Sequence, residues 1–123
     1  MDITAHLEEA LKESKKSKAL YQMGAVLVKG NKVVSSGYNR TSGKVGYLSR
    51  RYNIEIWSLH AEQDCLLKTN EADGSTLFVS GRKSNGNRIN CKPCLSCMKI
   101  IKKRKIKEVI FETKTGIKKI GVN

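Results

Sequence analysis

The stretch SLHAEQDCLL (residues 58–67) sets a histidine two positions ahead of a glutamate at the head of an apolar run. Read from His60, HAEQDCLLKT has helical spacing, with Ala61, Cys65 and Leu66 directed inward. A second stretch, CKPCLSC (91–97), sets Cys94 and Cys97 two residues apart where another helix begins, with Pro93 fixing the entry. Thiols at a helix N-terminus sit in positive potential, which lowers their pKa and favours thiolate ligands. Two cysteines so spaced can reach one metal ion, and His60 is the obvious third ligand, since His6 is the other histidine of the chain. Three protein ligands leave a fourth position for water, the arrangement of catalytic rather than structural zinc. Glu62 falls in the same first turn as His60, beside that position, where a carboxylate can take a proton from water and pass it to a leaving group.

Outward from these two helix starts, the chain alternates. Residues 3–20 read as an amphipathic helix with Ile3, Leu7, Ala10 and Leu11 in register and Asp2 as N-cap. GAVLVKGNKVVSSGY (24–38) reads as two β-branched strands around the turn Gly30-Asn31. A long loop of undetermined structure follows to about Ser58, and its YLSRRYNIEIW segment interleaves Tyr47, Tyr52 and Trp57 with Arg50 and Arg51. After the HAE helix come a third strand (STLFVSG, 75–81), a polar loop (82–90), the helix CLSCMKIIKKRK (94–105) and a fourth strand (KEVIFET, 107–113). The tail GIKKIGV reads as a fifth strand or a loose end. Strands alternating with helices predict an α/β fold: a three-layer α/β/α sandwich around a central mixed five-stranded sheet. Both helix starts can then meet at one end of the sheet, where such folds place their sites.

The 123 residues suit a single domain, 1–123, with a small core. No apolar run approaches the roughly 18 residues needed to cross a bilayer, which excludes a helical membrane protein. The N-terminus carries charges of both signs, unlike a secretory signal, so a cytoplasmic location is expected, or a nuclear one in a eukaryotic host. In a reducing compartment, four cysteines with three inside seven positions point to metal binding or catalysis rather than disulfides. The formal net charge of +13 implies anionic partners, among them nucleotides and nucleic acids.

Histidine-x-glutamate followed by proline-cysteine-x-x-cysteine is the zinc deaminase signature. At HAE (60–62) and PCLSC (93–97) the chain resembles the cytidine/deoxycytidylate deaminase superfamily. The resemblance extends through GAVLVKGNKVVSSGYNR (24–40) and the two later strands to about Phe111. It implies that His60, Cys94 and Cys97 bind Zn2+ and that Glu62 is the catalytic proton shuttle. It further implies that Asn39 contacts the sugar, that the Ala61 amide meets the base edge, and that the Cys94 amide helps orient the reacting oxygen. The resemblance also implies a homo-oligomer, a dimer or larger. Two positions depart from the pattern: Cys65 stands where a small or aliphatic residue is usual, and Cys91 adds a thiol ahead of the first ligand.

The substrate stays open at this level. One reading is deamination of a free cytosine nucleotide, deoxycytidylate (dCMP) to deoxyuridylate (dUMP), with Arg40, Lys44, Arg50 or Arg51 holding the phosphate. A second is deamination of cytosine or adenine within tRNA or single-stranded nucleic acid, favoured by the charge and the aromatic–basic segment. A third is a non-catalytic zinc protein that binds nucleic acid, its metal closed by Cys91 as fourth ligand. An iron–sulfur cluster is disfavoured because Ile101 stands where the next cysteine would fall. Cys65 reads as core, His6 as a surface helix residue, and KKRK (102–105) as a solvated helix face.

Overall fold

A computed structural model describes residues 2–41, 44–54 and 58–122. In chain order its elements are α1 (Ile3–Ser14), β1 (Tyr21–Lys29), β2 (Lys32–Tyr38), α2 (Lys44–Tyr52), α3 (Ala61–Leu67), β3 (Thr76–Lys83), α4 (Leu95–Lys103), β4 (Glu108–Glu112) and β5 (Ile117–Gly121). The strands form one sheet in the order β2-β1-β3-β4-β5. β1 runs antiparallel to β2 and β3, β3 parallel to β4, and β4 antiparallel to β5.

Side-chain alternation along the central strands sorts the core into two layers. Val26, Val28, Phe78 and Ile110 face Leu7 and Ala10 of α1. The intervening residues, Ala25, Leu27, Leu77, Val79, Val109 and Phe111, belong to the larger cluster that includes Leu66 of α3 and Ile100 of α4. Successive strand residues point to opposite faces, so a run that is apolar at every position requires cover on both sides. The mixed five-stranded sheet between helices is the expected architecture.

Two glycines set how closely the helices lie. A Cβ at Gly37 would come within 2.4 Å of the Cys65 amide nitrogen and 2.7 Å of the Ala61 carbonyl oxygen, so the backbone of α3 rests directly on β2. A Cβ at Gly24 would come within 2.0 Å of the Ala10 carbonyl oxygen, which gives α1 the same close seat on β1. Gly30 takes the positive φ of +65° that its turn requires.

Three expectations change, and one open alternative, the form of the tail, is settled. The first helix, expected to Leu20, ends at Ser14, and β1 begins at Tyr21 rather than Gly24. The Ser14 hydroxyl donates to the Leu11 carbonyl at 2.5 Å and that of Ser17 accepts from Ala19 N–H at 3.2 Å, local bonds that compete with helix continuation. The segment after Asn39 contains helix α2, whose Leu48 is buried in the core. Arg40 and Leu59 exchange backbone hydrogen bonds (3.0 and 2.9 Å) that close this excursion just before His60; Trp57 lies outside the described residues. The tail is a strand, β5, paired along β4. His6 is tucked in, its side chain 13% exposed with the ring 5.0 Å from that of Phe78.

Candidate metal centre

α3 and α4 deliver the site from their first turns. His60 is the N-cap of α3 and Cys94 the N-cap of α4. The ligand atoms of His60, Cys94 and Cys97 all lie within 4.8 Å of one another. His60 Nδ1 is 3.2 Å from Cys97 Sγ and 3.5 Å from Cys94 Sγ. A tetrahedral zinc ion with its usual bonds would hold neighbouring nitrogen and sulfur ligands about 3.6 Å apart. These residues therefore fit the ion in both donor type and spacing.

The thiols are electrostatically prepared. In the metal-free chain the hydrogen bond from Cys97 pulls Cys94 down to about 4, against partial burial and with help from His60. Cys97 is pushed well above its ordinary value by that same bond and by burial. The Cys97 amide donates to Cys94 Sγ at 3.4 Å, which caps α4 and stabilises the thiolate. His60 is raised, first by its hydrogen bond to Cys94.

Glu62 is 4% exposed and lies in the same cavity, of about 240 Å³, as His60, Ala61 and Cys94. Burial raises its pKa above the ordinary carboxylate range, partly offset by its own backbone amide and by His60. A carboxylate so placed gives up and takes protons nearer neutral pH.

Gln63 and Asp64 had no role in the sequence reading. Gln63 accepts from the His60 amide at 2.8 Å and donates to Cys97 Sγ at 3.6 Å, so one amide positions two ligands. A glutamine three residues after an N-cap is the second half of a capping box, a signal present in HAEQ. Asp64 is buried and accepts from Arg40 (2.6 Å), Lys68 (3.1 Å) and the Tyr38 amide (3.1 Å), which ties α3 to the end of β2. Its partner Arg40 lies 24 residues away, and no local pattern announces it.

The expected substrate contacts divide. Asn39 and Ala61 line the cavity. The Asn39 side chain accepts from the Met23 amide (2.8 Å) and donates to the Tyr21 carbonyl (2.7 Å), which fixes the start of β1. Arg40 lines a neighbouring cleft with its guanidinium bound to Asp64 and Tyr38. Arg51 lies on α2 with its guanidinium 5.8 Å from the Tyr52 ring centroid. Lys92, not anticipated, lines the cavity.

Cys91 is no fourth ligand. It is fully buried in the core, its thiol directed to the Ile89 carbonyl at 3.8 Å and pushed up to about 12 by burial. Cys65 is likewise buried and pushed up to about 12 by burial, as a core cysteine should be. The closed structural site expected under the third reading is therefore absent among the described residues.

Residues 2–113 match the family model described as the cytidine and deoxycytidylate deaminase zinc-binding region. Among solved structures, the chain is similar to a dCMP deaminase from the cyanophage S-TIM5 in apo form, at 25% identity over 90% of this chain and 82% of that one, TM-score 0.67. The complex of that enzyme with dCMP and dUMP aligns at 24% identity over 89% and 79%, TM-score 0.66. A cytidine deaminase from Burkholderia pseudomallei shares the fold at 20% identity over 99% and 94%, TM-score 0.70. No curated protein sequence matches the chain.

Proposed function

The chain belongs to the cytidine and deoxycytidylate deaminase family, a zinc-dependent deaminase, and from that premise we propose that its substrate is deoxycytidylate. Water adds its oxygen to C4 of cytosine, the C4–amine bond breaks, and deoxyuridylate and ammonia leave. The observation that carries this reading is the convergence of His60, Cys94 and Glu62 on one small cavity. The similarity to a cyanophage dCMP deaminase supports the nucleotide as substrate.

Zinc bound to His60, Cys94 and Cys97 would supply Lewis-acid activation of the water. Everything else comes from side chains and amides of the chain. The Glu62 carboxylate takes a proton from the water and hands it to the base, and then assists the departing amine. Its raised pKa suits both directions of transfer. The Ala61 amide meets the base edge, and the Cys94 amide orients the reacting oxygen. Asn39 keeps a second Nδ2 hydrogen for the sugar while the first holds β1. Residues 1–123 act as one deaminase domain. The ligand thiols need a reducing compartment, which supports a cytoplasmic location. Exposed Leu20, Leu95 and Ile117 support a homo-oligomer.

A second reading, deamination of a base within tRNA or single-stranded nucleic acid, is favoured by the net charge of +13. Ammonia release from deoxycytidylate, deoxycytidine, cytidylate, adenosine, single-stranded DNA and tRNA tests the choice. Turnover of deoxycytidylate supports the first reading. Turnover confined to polymers, falling steeply with salt, would replace it with the second.

A further inference from the structure

We infer that Lys92 is the residue that reads the substrate's phosphate, and so makes the cavity select a nucleotide over a nucleoside. The inference rests on the nucleotide reading above and assigns a specificity-determining residue within it.

Three observations carry it. First, Lys92 is the lysine or arginine among the described residues that line the cavity of Glu62 and His60. It stands in the loop that enters α4, two residues before the ligand Cys94, so its backbone is fixed by the same element that fixes the metal centre. The Lys92 amide donates to Asn90 Oδ1 at 3.1 Å, which turns that loop locally.

Second, the Lys92 side chain is exposed and forms no ion pair among the described residues. Arg40 differs. Its guanidinium is held 2.6 Å from Asp64 and 5.0 Å from the Tyr38 ring centroid. Moving it to a ligand would leave Asp64, 2% exposed, with one cation fewer, a costly exchange for a buried carboxylate. A cation without a protein partner binds a phosphate with no such penalty.

Third, Lys92 also borders the adjoining cleft along β4 and β5, where Lys114 and Lys118 contribute further positive charge beside Lys119, itself paired with Glu108. Asn90 lines that cleft too. The cavity that holds His60, Cys94 and Glu62 therefore continues at Lys92 into a cationic cleft. A substrate with an uncharged base and an anionic phosphate is oriented by that asymmetry: base toward Glu62, phosphate toward Lys92.

The test measures binding of the two reaction products to the zinc-loaded protein by titration calorimetry, since product binding does not depend on turnover. Lys92→Ala should weaken deoxyuridylate by about 10- to 100-fold, the range for a hydrogen bond to a charged group. Deoxyuridine, which lacks the phosphate, should move far less. Lys92→Arg should restore most of the deoxyuridylate affinity. Lys29→Ala, at the far end of β1, controls for the loss of one surface charge and should leave both affinities in place. Equal weakening of both ligands would overturn the assignment, because Lys92 would then be shaping the site and not reading the phosphate. Unchanged deoxyuridylate affinity would also overturn it. If the natural protein prefers deoxyuridylate in a Lys92-dependent way yet releases no ammonia from deoxycytidylate, the proposed reaction fails while the assignment stands.

Discussion

Helices α1 and α3 lie on opposite faces of one sheet and follow different rules. α1 has twelve residues and buries Leu7, Ala10 and Ser14 along one stripe. α3 has seven residues and buries six of them, among them Glu62, Gln63 and Asp64. Burying three polar side chains in one short helix costs free energy unless each finds a partner. Gln63 and Asp64 find theirs in the ligands and in Arg40. Glu62 is held where burial raises its pKa, an unfavourable place for a carboxylate and a useful one for a proton carrier. α1 buries an apolar stripe, whereas α3 buries a carboxyl at a cost to stability.

Substitutions on the two helices should separate these roles. The largest effect is expected from Glu62→Gln, which should lower kcat for ammonia release by about 10²- to 10⁴-fold. Zinc content, read by atomic absorption, should stay at the natural level; loss of zinc together with activity would make Glu62 a structural residue and erase the contrast. Leu7→Ala on α1 should destabilise the fold by about 2–5 kcal/mol in urea unfolding. The zinc-loaded folded fraction of that variant should keep its kcat, and a lowered kcat would mean the two faces are coupled. Gln63→Leu should weaken zinc by about 10- to 100-fold in a chelator competition, as expected for a group that orients two ligands.

A subtler effect separates the helices through pH. The folded-state pKa of Glu62 lies above its unfolded value, so the carboxyl stabilises the fold at low pH, and that stabilisation is lost as pH rises through the folded pKa. In the metal-free protein, Glu62→Gln should therefore raise Tm near neutral pH and leave it little changed in acid. A lowered Tm at neutral pH would show that the carboxylate is better housed than burial implies. The smallest effect is expected at the start of α1, where Asp2 accepts from the Ala5 amide at 3.1 Å. Asp2→Ala should cost about 1 kcal/mol with no change in zinc or turnover.

What could be read in advance follows the same division. α1 and the central strands carry periodic apolar residues, so their existence and faces were legible in the sequence. The ligands and Glu62 were legible for another reason: the chemistry fixes their spacing, and two short motifs contain it. α2 escaped although Val45, Leu48 and Tyr52 share one face against the core, because Lys44, Arg50 and Arg51 make the segment read as a polar loop. The anchoring of Asp64 escaped because, apart from Lys68 one turn on, its partners Tyr38 and Arg40 lie at and just beyond the end of β2, far away in sequence. Cys91 could not be sorted between ligand and core by spacing; burial decided it. Arg40 and Lys92 look alike as isolated cations in the sequence, and only the fold separates the one already bound to Asp64 from the one facing the cavity.

The sheet terminates at β5, whose outer edge has no strand beside it among the described residues. An unpaired strand is a template on which another chain can extend the ladder, the first step toward fibrous aggregation. Here the exposed Lys118 and Lys119 occupy that border. Two copies approaching edge to edge would bring these lysines into mutual repulsion, and any cation at such a border makes β-addition unfavourable. Such charge opposes edge-to-edge association, and that opposition should fade in concentrated salt, where the repulsion is screened.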